Sequence, residues 1–333
     1  METTTLGRTG LKVSRLGMGG VFIASFSAEL EAAKRAVRAA LDRGITYVDT
    51  APSYGNSEEV LGQALSGERR PVVLSSKLGG RPKPFDPRDK VALRSSVETS
   101  LRLLGRDTID ILMIHEPDRP GQYDWWTDIV RVEGPVLELL DELKAEGKIR
   151  FTGLGGTTTT VLAHLCRSGK FDVVLTAFNY SLLYREAALE VIPAARAANM
   201  GIIVGSPLQQ GALARRYEAE IERPEAFWLS RMRREQFKAL YAFLDETGFS
   251  LPELGIRFVL SHSDVHCVLM GARSDAEVRQ NAEAAAKGPL PPEVLARLDE
   301  IAAMLPYRPF GEPFGIGWFL GQPERYRGPG VAS

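Results

Sequence analysis

Eight short apolar runs, each followed by a turn and then a longer stretch with helical spacing, limit what this chain can fold into. The runs fall at 16–19, 47–49, 72–75, 109–114, 151–154, 173–176, 202–204 and 267–270. Several are near-continuous Val, Ile and Leu, as in parallel strands covered on both faces. Between them, apolar residues recur every three or four positions. In 29–41 they are Leu30, Ala33, Val37 and Leu41, one face of a helix. The segments 91–104, 136–143, 161–165, 189–198 and 277–285 behave alike, and 233–262 reads as two helices split near Gly248 and Pro252. Strands and helices alternating without a break predict a closed (β/α)8 TIM barrel, with an open doubly wound sheet as the rival. Ahead of the barrel, Thr3-Thr4-Thr5-Leu6 and Leu11-Lys12-Val13-Ser14 flank Gly7-Arg8-Thr9-Gly10 and predict an N-terminal β-hairpin. No Pro/Gly-rich linker divides the middle, so residues 1–333 are expected to form a single domain. Beyond a last helix at 293–304, the tail 305–333 holds Tyr307, Phe310, Phe314, Trp318, Phe319 and Tyr326. That is too aromatic for a disordered linker, and a C-terminal aromatic loop packing on the barrel is expected.

Charge and composition narrow the function classes. Lys plus Arg number 41 against 42 Asp plus Glu, a net charge of −1, which argues against binding nucleic acid. No apolar run approaches the ~20 residues of a membrane span. The start, Met1-Glu2-Thr3-Thr4-Thr5, lacks the basic and apolar regions of a signal peptide, so a cytoplasmic location is expected. Cys166 and Cys267 form no C-x-x-C motif and read as thiols in a reducing compartment.

Chemistry in such barrels gathers at the carboxyl ends of the strands. Here those ends supply Asp49 with Tyr54 close behind, then Lys77, then His115. Adjacent strands lie about 4.8 Å apart, so the four groups are expected to converge on one patch of the barrel mouth. Together they make a proton-transfer device. A free tyrosine titrates at about 10 and handles protons poorly near neutrality. A neighbouring Lys77 ammonium is expected to lower that pKa, and Asp49 to hold the ammonium in place. His115 would orient a carbonyl oxygen, and Tyr54 would give it a proton or take one from an alcohol. No side chain supplies a hydride, so the device needs a nicotinamide cofactor. Taken singly, the same residues also suit a helix cap, a surface lysine and a loop histidine.

The run Gly44-Ile45-Thr46-Tyr47-Val48-Asp49-Thr50-Ala51-Pro52-Ser53-Tyr54-Gly55-Asn56-Ser57-Glu58-Glu59-Val60-Leu61-Gly62 closely resembles the signature of the aldo-keto reductase family. So do the hairpin, Ser76-Lys77, the strand ending in His115, the segment 201–213 and Gly271-Ala272-Arg273-Ser274. The resemblance spans roughly residues 3–305. It implies a barrel that binds NADP(H) or NAD(H) in extended form, and a tetrad of Asp49, Tyr54, Lys77 and His115 with Tyr54 as proton donor. Within the family the chain is similar to the branch that oxidises free sugars, such as L-galactose and D-threo-aldose dehydrogenases. A small sugar or aldehyde is therefore the expected substrate.

By the same resemblance, the cofactor contacts are Gly20, Asp49, Ser206, Leu208, Gly211, Gly271, Arg273, Gln280 and Asn281. Ser206, Leu208 and Gly211 match the pyrophosphate loop, Arg273 the position that meets the adenosine 2′-phosphate, and Gln280 and Asn281 the adenine pair. Arg273 favours NADP(H) and leaves NAD(H) open. Three regions depart from the family pattern; one is the sixth strand, where Thr176-Ala177 stands in place of the Gln usually offered to the nicotinamide carboxamide. Gly155 and Gly156 stand where a Ser-Asn pair usually binds the carboxamide, and Gly205 stands where an aromatic residue usually stacks on the ring. Tyr180 is a candidate to refill that space. The substrate pocket is expected to be lined by Phe22, Tyr54, His115, Trp125, Trp126 and the aromatic tail.

Other signals carry less. His262-Ser263-Asp264-Val265-His266 imitates a metal site but precedes the last strand, on the face away from the chemistry, and no metal is expected. Gly153-Leu154-Gly155-Gly156 lacks the third spaced Gly and the later acidic residue of a dinucleotide loop. The run 231–234 reads as a solvated helix start. Two rival functions stay open: a metal-dependent barrel hydrolase and a non-catalytic, nucleotide-sensing subunit of the same fold.

Overall fold

A computed structural model of the chain describes residues 1–81, 83–120, 123–222 and 229–306. Strands β1 (Thr3–Thr5) and β2 (Lys12–Ser14) pair antiparallel as a hairpin. Eight parallel strands follow: β3 (Leu16–Gly19), β4 (Tyr47–Asp49), β5 (Val73–Leu78), β6 (Ile109–His115), β7 (Ile149–Gly156), β8 (Val173–Ala177), β9 (Gly201–Gly205) and β10 (Cys267–Met270). They close in sequence order, β10 returning to β3. The barrel and its hairpin are those expected from the sequence. The aromatic positions of the tail, 307–333, lie outside the described residues.

Around the barrel lie α1 (Leu30–Asp42), α2 (Ser57–Ala64), α3 (Lys90–Leu104), α4 (Pro135–Ala145), α5 (Thr159–Arg167), α6 (Val191–Ala197), α7 (Glu218–Glu222), α8 (Arg231–Thr247), α9 (Leu251–Leu260), α10 (Asp275–Ala286) and α11 (Pro292–Ala303). Each main helix buries one stripe. In α1 the buried residues are Ala33, Ala36, Val37, Ala40 and Leu41, at helical spacing. The boundaries have local causes. Asp89 accepts hydrogen bonds from Val91 N and Ala92 N at the start of α3, and Gly105 ends it with φ 61°. Ser230 caps α8, Gly248 at φ 71° stops it, and Ser250 caps α9. The sequence reading had no helix at 57–64; α2 is a short one whose buried face includes Ser57 and Glu58.

The barrel interior is filled by interdigitation. Large inward side chains stand on β4, β6 and β8, and glycines stand opposite them on β3, β7 and β9. A Cβ on Gly17 would lie 3.1 Å from the Tyr47 ring, one on Gly153 2.9 Å from Met113 Cγ, and one on Gly205 3.0 Å from Leu175 Cδ2. The glycines are thus the holes that receive their neighbours' knobs. Leu6, Leu11 and Val13 of the hairpin join the same apolar cluster as Tyr47, Ile111, Val173 and Cys267. The hairpin therefore plugs the amino end of the barrel and leaves the carboxyl end open.

Candidate active site

Strand register sets the positions of the four expected groups. Asp49 pairs with Ser75, Lys77 with Met113, and His115 with Gly155. Alternation along β5 turns Ser75 and Lys77 inward and Ser76 outward. Ser75 Oγ donates to Asp49 Oδ1 at 2.7 Å, whereas Ser76 Oγ donates to Glu58 Oε1 at 2.7 Å. Lys77 Nζ donates to Asp49 Oδ2 at 2.5 Å and to the Thr50 carbonyl at 2.8 Å. The same ammonium lies 4.8 Å from the centroid of the Tyr54 ring. The Tyr54 and His115 rings meet edge to face at 5.7 Å. The structure thus brings all four groups to one patch at the open end of the barrel.

Burial sets the charge states. Asp49 and Lys77 are each 2% exposed and His115 8%. Burial opposes the Lys77 charge, but Asp49 and Tyr54 beside it more than compensate, and its pKa is raised. The His115 imidazole is pulled down to about 3 by burial and by the Lys77 charge, so it is neutral near pH 7. Its Nδ1 lies 3.3 Å from the Ser53 hydroxyl. If that hydroxyl donates, Nε2 carries the ring proton and is the donor of the ring. Tyr54 corrects an expectation. Burial raises its pKa above that of a free phenol, and the opposing effect of Lys77 does not cancel the rise.

A cavity of ≈ 460 Å³ opens beside Asp49 and Tyr54 and runs across the ends of β9 and β10. Its walls include Ser206, Leu208 and Gly211 after β9, Gly271 and Arg273 after β10, and Gln280 and Asn281 on α10. Gly20 is not on this lining. It sits behind it, with its carbonyl accepting a hydrogen bond from Ser57 Oγ at 2.7 Å. Sequence reading missed Arg215, Tyr217 and Glu277, which also face the cavity. Arg215 stacks over the Tyr217 ring at 4.5 Å, and the Tyr217 hydroxyl donates to the Gly211 carbonyl at 3.2 Å. For Glu277 a signal existed: Ser274-x-x-Glu277 is the pattern of a helix start. Two arginines along one flank, left-handed backbone at Ser206 and Gly211, and a phenol at the inner end suit an elongated anionic ligand. Room is tight at Gly271, where a Cβ would lie 2.5 Å from Phe22 Cδ2.

The glycines that depart from the family pattern are filled from within the protein. Facing Gly155 is the Lys77 stem, whose Cε would lie 3.4 Å from an added Cβ. Facing Gly156 is the Asp118 carboxylate, 2.2 Å from where a Cβ would stand. Asp118 accepts from Thr157 N at 2.7 Å and from Thr158 N, and so closes the turn into α5. Leu175 fills the space at Gly205. Tyr180 does not refill it; its ring packs on Phe258 at 5.1 Å and on His262 at 5.3 Å. Trp125 and Trp126 also differ from expectation. They are buried at 0% and 4% exposure, and their indoles donate to the His115 carbonyl at 3.0 Å and the Pro117 carbonyl at 2.7 Å. They pack beneath the loop after β6 instead of lining the cavity. Phe22 and Tyr54 do line it, whereas His115, also expected there, is buried behind Tyr54 and is not among its walls.

His262 and His266 flank the turn into β10; His266 Nδ1 accepts from Ile202 N at 3.0 Å. Among the described residues no group of three or more His, Cys, Asp or Glu could hold a metal ion. Cys166 and Cys267 are free, buried thiols, and among the described residues no helix is long and apolar enough to cross a membrane.

Comparisons with known proteins assign this closed eight-stranded barrel to a class of oxidoreductases. The aldo/keto reductase family model covers residues 15–303, and the chain belongs to that family of oxidoreductases. It is 30% identical over 312 residues to a D-threo-aldose 1-dehydrogenase from a Pseudomonas species, covering 83% of this chain and 91% of that protein. It is 30% identical over 319 residues to an NADH-specific methylglyoxal reductase from Escherichia coli K12, covering 85% and 93%. Among solved structures it is similar to the holo form of the aldo-keto reductase AKR11C1 from Bacillus halodurans, with a TM-score of 0.75 and 27% identity, covering 94% of this chain and 100% of that one.

Proposed function

We propose that the protein is a nicotinamide-dependent oxidoreductase that interconverts a carbonyl with an alcohol or hemiacetal on a small aldehyde or aldose. The observation that carries this reading is the buried Lys77–Asp49 pair at 2.5 Å, with its ammonium 4.8 Å from the Tyr54 ring, at the inner end of the groove. The relatives act on aldoses and on methylglyoxal by their names, which supports the substrate class. When bound, the nicotinamide would supply or accept the hydride. Ser206, Leu208, Gly211, Arg273, Gln280 and Asn281 would hold the dinucleotide along the groove.

The chain's own groups handle the proton. Neutral His115 donates a hydrogen bond to the substrate oxygen and fixes its direction. Tyr54, a phenol at neutral pH whose pKa burial raises further, delivers its phenolic proton to that oxygen during reduction. The positive Lys77 stabilises the phenolate left behind, and Asp49 anchors Lys77 where it can do so. In the oxidative direction the same phenolate takes the alcohol proton, so oxidation should rise with pH as Tyr54 ionises.

Tyr54→Phe removes one oxygen and little packing. We expect turnover of aldehydes and aldoses, followed by absorbance at the NAD(P)H band, to fall by at least about 100-fold, the size of a lost acid–base group. Nucleotide binding should persist. Turnover at the wild-type rate would remove Tyr54 from the mechanism.

A further inference from the structure

Arg273 already has an acidic partner in a half-exposed pair. Its Nη2 and Nε lie 3.2 Å and 3.4 Å from Glu277 Oε1, and its backbone N–H donates to Glu277 Oε2 at 2.8 Å. Ser274 completes the arrangement, accepting from Glu277 N at 3.3 Å. Glu277 therefore does two things. It closes the first turn of α10, and it places a carboxylate on the guanidinium within the groove wall that also carries Gln280 and Asn281.

From this geometry we infer that Glu277 makes the protein select NAD(H) over NADP(H). The inference rests on the proposed function and refines its cofactor. A 2′-phosphate carries about −1.5 to −2 charge near pH 7. To reach Arg273 it must share the guanidinium with a carboxylate already there, so attraction to one group comes with repulsion from the other. A free 2′-hydroxyl has no such conflict, because it can donate a hydrogen bond to Glu277, the same chemistry by which an acidic residue meets the ribose in Rossmann folds. Arg273 alone would favour NADP(H), as the sequence suggests. The carboxylate four residues later reverses that preference.

Glu277→Gln tests the charge without removing the cap, because glutamine also completes a capping box. Binding of NADH and NADPH to the wild type and the variant is measured by isothermal titration calorimetry. The wild type should bind NADH at least about tenfold more tightly than NADPH, a difference of about 1.4 kcal/mol. Glu277→Gln should tighten NADPH about tenfold and change NADH far less, so that the ratio collapses. Arg273→Ala should then abolish the NADPH gained by the variant. A wild type that prefers NADPH, or a variant that weakens both nucleotides equally, overturns the inference while leaving the oxidoreductase reading in place. Failure of both nucleotides to bind the wild type overturns that reading too.

Discussion

Glu116 shows how one residue at the barrel mouth can make the whole protein sensitive to pH. It follows His115 with a left-handed φ of 50°, accepts from Thr157 Oγ1 at 3.0 Å, and has Arg119 at 3.8 Å. Burial, then the neighbouring Asp118, push its carboxyl up to about 7 from 4.5. The native state therefore holds a proton that the unfolded chain has already lost between about 4.5 and 7, and stability falls as pH rises through that window. Glu116→Gln cannot titrate. We expect the stability of the wild type relative to this variant to drop by roughly 1–3 kcal/mol across the window, measured as denaturant midpoints. A flat difference would mean that Glu116 titrates normally. His115 carries the opposite sign. Its imidazole, near 3 in the fold and 6.5 free, withdraws stability as pH falls from about 6.5 toward 3. Of the residues at this site, Asp49, Tyr54, Lys77 and His115 were legible because apolar runs mark where strands end. The ionisation of Tyr54 was not, since the balance between burial and Lys77 depends on depth. Nor were Trp125 and Trp126, whose indoles could face the cavity or the backbone with the same sequence.

At the level of elements, the junction of β7 and α5 was unreadable for a similar reason. Gly155 and Gly156 appeared as missing side chains because the chain does not announce that Asp118, from the loop after β6, fills the second position. Its carboxylate holds two backbone N–H groups at the entry to α5, while its Oδ1 is buried without a hydrogen-bond partner. Gly156→Ser should collide with that carboxylate and cost about 1–3 kcal/mol. Asp118→Ala should cost a similar amount by leaving the two N–H groups unsatisfied. The double variant should be less destabilised than the sum, because the serine then has space; chemical denaturation of the four proteins gives the coupling. Strict additivity would show that the two positions do not compete. Most helices were legible from apolar residues recurring every three or four positions, and the break between α8 and α9 from Gly248 and Pro252. Helix α2 was not, because only eight residues separate Ser57 from Ala64 inclusive and its polar, buried Ser57 and Glu58 break the apolar stripe.

For the molecule as a whole, closure at the hairpin end can be separated from chemistry at the other. Leu6 is fully buried and packs where a Cβ on Gly201 would lie 2.6 Å from its Cγ. Leu6→Ala opens a cavity in the plug and should cost about 2–5 kcal/mol. The thermal midpoint should drop accordingly, while kcat at a temperature where the variant stays folded should remain within about twofold, as expected for a change far from the reacting groups. A large loss of kcat without loss of stability would tie the plug to catalysis. Barrel topology was the most legible property of all, since eight buried strands in alternation with helices leave few ways to close.

A barrel stoppered at one end is a well with one mouth, and everything exchanged must queue there. A ligand lying along the groove from Asn281 to Tyr54 would itself become a wall of that mouth, and whatever meets Tyr54 would have to fit against it.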